Sequence, residues 1–149
     1  LAVAVLSGLE NKKKNLEEFY QQYETSFDDA GRLRGIFTKV VGEIEQVLPD
    51  LAKTRWRKKS DFYSLFMKLA KHAAHLPLPS ESRARAAAML ADIAERVDAA
   101  TSGAVDVSTL NEQIRLYARN VERAASDLGS RRAREQALDN LLTDVFGAG

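Results

Sequence analysis

The stretch Leu33-Arg34-Gly35-Ile36-Phe37-Thr38-Lys39-Val40-Val41-Gly42-Glu43-Ile44-Glu45-Gln46-Val47-Leu48-Pro49 decides the fold class. Leu33, Ile36, Phe37, Val40, Val41, Ile44, Val47 and Leu48 recur at helical spacing and cover a wide apolar arc. An arc that wide predicts a helix buried against several neighbours rather than one lying on a surface. Pro49 stops it, because proline has no amide hydrogen to donate and its ring clashes with the preceding turn.

Outward from this helix the same periodicity continues in both directions. Upstream, Leu16, Phe19, Tyr20 and Tyr23 share one face of a short helix. Downstream, Ser60 is read as the N-cap of a helix with Asp61 in its first turn and Phe62, Leu65, Phe66, Leu69 and Ala73 inward. Pro77 and Pro79 form a stiff connection, and Ser80 caps a helix with Ala86, Leu90, Ile93 and Val97 inward. Thr101-Ser102-Gly103 ends that helix. A further helix from about Thr109 turns Leu110, Ile114, Tyr117 and Val121 inward. Gly129-Ser130 is read as a break, followed by a last helix through Ala137, Leu138, Leu141 and Val145. No strand-like alternation and no internal repeat interrupts the pattern. The expectation is an all-α fold, a single bundle of about six helices making residues 1–149 one domain.

Composition fits a globular domain, with 45% hydrophobic and 29% charged residues. The chain has no cysteine, which excludes disulfides, thiolate metal ligands and a cysteine nucleophile, and agrees with a cytoplasmic location. No apolar run is long enough to span a bilayer, so no membrane partner is expected. The opening Leu1-Ala2-Val3-Ala4-Val5-Leu6 lacks a basic leader and reads as the tail of a helix that begins further upstream.

The net charge of +1 conceals an uneven distribution. Residues 1–50 carry six basic and nine acidic side chains, residues 51–85 nine and two, and residues 86–149 seven and ten. A segment of net +7 therefore lies between two flanks of −3 each. Its focus is Lys53-Thr54-Arg55-Trp56-Arg57-Lys58-Lys59, five cations around an indole, leading into Ser60 and a helix N-terminus. Lys and Arg neutralise phosphates, an indole can stack on a base, and helix-start amides donate to anions. The alternative is that Trp56 packs in the core and the cations are solvated. Lys12, Lys13 and Lys14 form a second basic run, in a connection between helices. Arg115, Arg119 and Arg123 line one helix face, where Glu112 and Glu122 can pair with them. Arg131, Arg132 and Arg134 start the last helix, where cations oppose the helix dipole unless an anion is present.

Catalytic signatures are missing. His72 and His75, the only histidines, lack a third ligand for zinc and sit near a helix C-terminus, where a protonated ring is favourable. There is no glycine-rich phosphate loop, no nucleophile elbow and no histidine–carboxylate signature. No catalytic residue, metal or cofactor is assigned.

Three segments together resemble a known family. They are Gly8-Leu9-Glu10-Asn11-Lys12-Lys13-Lys14 with Phe19-Tyr20 and Tyr23; Thr54-Arg55-Trp56-Arg57-Lys58-Lys59-Ser60-Asp61-Phe62-Tyr63-Ser64-Leu65-Phe66; and Tyr117-Ala118 with Arg131, Arg134, Leu138 and Leu141-Leu142. Their order and spacing resemble the helical region that follows the ParB-like domain in GmrSD-type restriction and phage-defence proteins. In that family the ParB-like domain carries an acidic-glycine-glutamine-arginine signature that couples nucleotide binding to DNA cleavage, and no such signature occurs here. The resemblance therefore implies a non-catalytic helical companion, the C-terminal part of a larger protein, that assists DNA positioning or packs on a nuclease-like domain. It implies that Lys12, Lys13, Arg55, Lys58, Lys59, Ser60, Asp61, Arg131 and Arg134 contact DNA, nucleotide or that partner. Lys53, Trp56 and Arg57 join them from the basic segment itself. An apolar face left uncovered at Leu1 would favour a homodimer. The competing reading is a protein-interaction or oligomerisation module that never meets nucleic acid, and a third is an enzyme whose site is dispersed between helices.

Overall fold

The structure is a computed structural model that describes residues 1, 4, 5, 17, 21, 28–122 and 125–146. The expected helix around Phe19, the Lys12–Lys14 run and Arg123 lie outside the described residues. The all-α expectation holds. The described residues form α1 (Ala30–Val47), α2 (Lys59–Lys71), α3 (Ser80–Thr101), α4 (Glu112–Glu122), α5 (Leu128–Leu141) and a final turn α6 (Thr143–Phe146), with no strand among them. None of these helices is long and apolar enough to cross a membrane.

The helices pack as a closed ring. α1 lies on α2, α2 on α5, α5 on α4, α4 on α3, and α3 returns to α1. Their inward faces are largely those the spacing predicts: Leu33, Val40, Ile44 and Val47 from α1; Leu65, Phe66 and Leu69 from α2; Ala86, Leu90, Ile93 and Val97 from α3; and Ile114, Tyr117, Ala137 and Leu138 from α4 and α5. Phe37 and Phe66 meet with ring centroids 4.7 Å apart, fixing α1 against α2. Val41, placed on the apolar arc of α1, is instead 39% exposed at its edge.

The helix ends depart from expectation in four places. Ser60 does not cap α2: the N-cap position is Lys58, without a side-chain cap bond, and Ser60 sits in the first turn. The cap is displaced because Thr54 already caps the preceding turn, its Oγ1 accepting from the Trp56 amide at 3.2 Å, and α2 starts directly after that turn. Ser80 is likewise the first residue of α3, with Pro79 at the N-cap position. α4 begins at Glu112, not Thr109. Asn111 is its cap, with Oδ1 accepting from the Ile114 amide at 2.8 Å. Gly129 and Ser130 do not break a helix but lie in the first turn of α5, whose N-cap position is Asp127.

One terminus follows the reading in detail. Gly103 has φ +72°, and it ends α3 with amide bonds from Ala104 to the Ala99 carbonyl (3.0 Å) and from Gly103 to Ala100 (3.3 Å). This is the six-to-one and five-to-two pairing of a Schellman motif, which needs a left-handed residue at that position. A Cβ at Gly103 would meet nothing within 4 Å, so its cost is conformational rather than steric. Gly103→Ala is expected to lower stability by about 1–2 kcal/mol, read as an earlier urea midpoint with an unchanged m-value.

Candidate functional site

The basic segment divides into an inner and an outer set. Thr54, with its side chain on the Trp56 amide and the Leu51 carbonyl, folds residues 55–57 into a single 3-10 turn that drives Arg55 and Trp56 inward. Trp56 is fully enclosed; its Nε1–H donates to the Leu90 carbonyl at 3.0 Å, and its ring stands edge-on to Tyr117 at 6.2 Å. No face of the indole is open to a base. Arg55 is also buried, donating through Nη1 to Asp98 at 2.7 Å and through Nη2 to Asp61 at 3.2 Å. Tyr117 donates its hydroxyl to the same Asp61 carboxylate at 2.8 Å. Burial beside that carboxylate pushes the Tyr117 phenol well above its ordinary range. In this fold Arg55, Trp56 and Asp61 join α2, α3 and α4, and the expectation that they face a phosphate, a base or a partner is corrected by their burial.

The outer set is Lys53, Arg57, Lys58 and Lys59, all exposed. Lys53 pairs with Asp50 at 2.9 Å, and Lys58 approaches Asp98 at 3.6 Å. Arg57 and Lys59 make no ion pair among the described residues. Arg115 and Arg119 do not form the expected pairs with Glu112 and Glu122 there. Arg115 donates instead to the Ser108 carbonyl at 3.3 Å.

Lys59 and Ser60 meet Arg131 and Arg134 across the molecule. These four residues, from segments roughly seventy positions apart in the chain, line one groove together with Tyr63, Ala125 and Ser126, with a volume of about 400 Å³. The first turn of α2 forms one wall, and the residues leading into α5 with its first two turns form the other. The Arg131 guanidinium lies over the Tyr63 ring, 4.6 Å from its centroid. Arg134 is 1% exposed. Its Nε donates to Ser64 Oγ at 2.9 Å and its Nη1 to the carbonyls of Asn120 (2.8 Å) and Ala125 (2.9 Å). Burial holds the Arg134 guanidinium below its ordinary pKa, and the neighbouring Arg131 charge adds to that effect. Tyr63 and Ser126 complete the groove. Tyr63 had a signal, as a phenol one turn after Ser60; Ser126 had none. Lys53, Arg57 and Lys58 stay outside it.

Two further polar clusters hold the bundle together. Glu43, 3% exposed, accepts from the Leu78 amide and from Arg83 Nε at 2.8 Å, tying α1 to the connection before α3. Lys68, 1% exposed, reaches Asp139 at 2.8 Å and lies over the Phe146 ring, while Lys71 pairs with Glu135. His72 stacks on the same Phe146 ring at 4.9 Å. Burial and the nearby Lys68 charge lower its pKa, opposite to the rise a helix C-terminus alone would give. Among the described residues no three His, Cys, Asp or Glu side chains gather as metal ligands.

The fold and this site define a helical bundle with a cationic groove at the starts of two helices. No protein-family model matches the chain, and neither a curated protein nor a solved structure is similar to it.

Proposed function

We propose that this chain is a non-catalytic helical accessory domain of a restriction or defence-type protein, positioning DNA beside a nuclease-like domain. The observation that carries the reading is the outer cation set, Lys53, Arg57, Lys58 and Lys59, held on a fixed turn by the burial of Arg55 and Trp56 between them. A rigid row of cations contacts phosphates without the ordering cost that a floppy basic loop incurs. Such a row reads no bases, which suits positioning rather than sequence recognition. The three-part sequence resemblance supplies the biological setting.

The pairing of Lys53 with Asp50 and of Lys58 with Asp98 favours a second reading, in which the row meets an acidic protein surface. A duplex titration across a salt series separates the two. Under the DNA reading the native chain binds, and changing Lys53, Arg57 and Lys58 to alanine flattens the log–log salt slope by up to about 3, near 0.9 per lost phosphate contact. Those three residues are exposed, so the variant keeps its fold. No duplex binding by the native chain at low salt moves the assignment to the interaction module.

A further inference from the structure

We propose that the groove between the first turn of α2 and the first two turns of α5 is a phosphate-binding site, with Arg134 and Lys59 as its principal cations. This goes beyond the duplex-positioning reading, because it assigns a ligand group to the groove and holds whether or not the outer row engages DNA.

The central observation is the state of Arg134. Its guanidinium is almost wholly buried, yet the three groups that accept from it are a hydroxyl and two carbonyls, all neutral. Among the described residues it has no ion pair, and Nη2 makes no hydrogen bond. Asp61, whose charge it feels, is already committed to Arg55 and Tyr117. Burying a cation with neutral partners alone is costly, and natural proteins seldom leave one so unless its counter-charge is supplied from outside. Ser64, Asn120 and Ala125 fix the plane of the guanidinium, leaving Nη2 for a ligand in the groove that Arg134 lines.

The surroundings carry the same sign. Lys59 and Arg131 also line the groove, and none of the described lining residues is a carboxylate. α2 is a helix of thirteen residues whose N-cap position is a lysine with no side-chain acceptor. The amides of Lys59, Ser60 and Asp61 therefore lack an intrahelical partner at the positive end of the dipole. A capping aspartate or serine would normally sit there, and a bound oxyanion does the same work. Hydroxyls of Ser60 and Ser126 line it as well. Several cations and hydroxyls converging from two walls suit a tetrahedral, multiply charged group better than a planar carboxylate. The volume of about 400 Å³ exceeds that of one phosphate and lies in the range of small-ligand sites, about 300–1,000 Å³. The phosphate can thus belong to a nucleotide or to a nucleic-acid backbone, and the test distinguishes these sources.

Calorimetric titration of the full chain in chloride buffer uses inorganic pyrophosphate, adenosine triphosphate without metal, and a short duplex. The proteins are the native chain, Lys59→Glu, and the Arg57→Ala/Lys58→Ala pair. Lys59→Glu reverses one groove charge while placing an acid in the first turn of a helix, where it suits the dipole, so the fold is retained. Pyrophosphate is expected to bind the native chain and the Arg57/Lys58 variant alike, and Lys59→Glu about tenfold or more weakly. The amide resonances of Ser60 and Ser126 should shift on binding. Triphosphate binding tighter than pyrophosphate supports the site with a nucleotide as source. Competition between duplex and pyrophosphate supports it with the backbone as source. The proposal is overturned if pyrophosphate fails to bind the native chain at about 10 mM, well above a Kd of about 1 mM, or binds Lys59→Glu equally well. Duplex binding without pyrophosphate binding removes the groove and leaves the outer row standing; the reverse result removes the row and leaves the groove.

Discussion

Trp56→Ala is expected to lower the unfolding free energy by about 3–5 kcal/mol, the usual cost of truncating a fully buried indole. The side chain is enclosed by α2, α3 and α4, with its Nε1–H on the Leu90 carbonyl and its edge on Tyr117. Neighbouring helices cannot close over a void of that size without distorting a ring of mutually packed elements. Trp56→Phe keeps most of the apolar contact and loses the bond to Leu90, so a smaller loss of about 1–2 kcal/mol is expected. Urea denaturation followed by far-ultraviolet circular dichroism measures both. A loss below about 0.5 kcal/mol for the alanine variant, typical of a surface position, would return the indole to the surface and make a base-stacking role tenable again.

The second large effect is expected at Asp61. Its carboxylate is completely buried and serves two donors, Arg55 Nη2 and the Tyr117 hydroxyl. Asp61→Ala removes the one buried counter-charge Arg55 has among the described residues and leaves it with the half-exposed Asp98. Removing one member of a buried ion pair costs about 3–5 kcal/mol, because the remaining charge stays desolvated. The cluster is a unit, so the loss should not add to that of Tyr117→Phe. A double-mutant cycle should give a coupling energy above about 0.5 kcal/mol, and strict additivity would mean that the Tyr117–Asp61 bond contributes nothing.

These two positions show where reading from sequence stopped. The faces of α1, α2 and α3 were legible because burial on one side of a helix imposes a 3.6-residue rhythm that any neighbour satisfies. The helix starts were less so, since Ser60 and Ser80 fit a first turn almost as well as an N-cap, and only the preceding backbone decides between them. Asn111 lay beside the predicted start at Thr109 and gave no stronger signal. In the basic segment, Lys53, Arg57, Lys58 and Lys59 carry the same charge as Arg55. What separates Arg55 from them is its burial against Asp61 together with a bond to Asp98, forty-three residues away. Charge counting within a window cannot see that partner. Arg134 is harder still, because two of its acceptors are backbone carbonyls, at Asn120 and Ala125, which have no residue signature at all. The cluster of arginines at the start of the last helix was visible as an electrostatic oddity; the groove that Arg131 and Arg134 line needed α2 and α5 side by side.

The position of α2 in the ring has a consequence for how the chain is made. Its polar partners lie far downstream: Asp61 meets Tyr117, Ser64 meets Arg134, and Lys68 meets Asp139. Synthesis runs from the N-terminus, so α2 leaves the ribosome before the α5 residues that pair with Ser64 and Lys68 have been made. Closure of the ring waits for α5, which lies between α2 and α4 in it. The described helices are therefore completed as one unit once α5 has been made, rather than helix by helix.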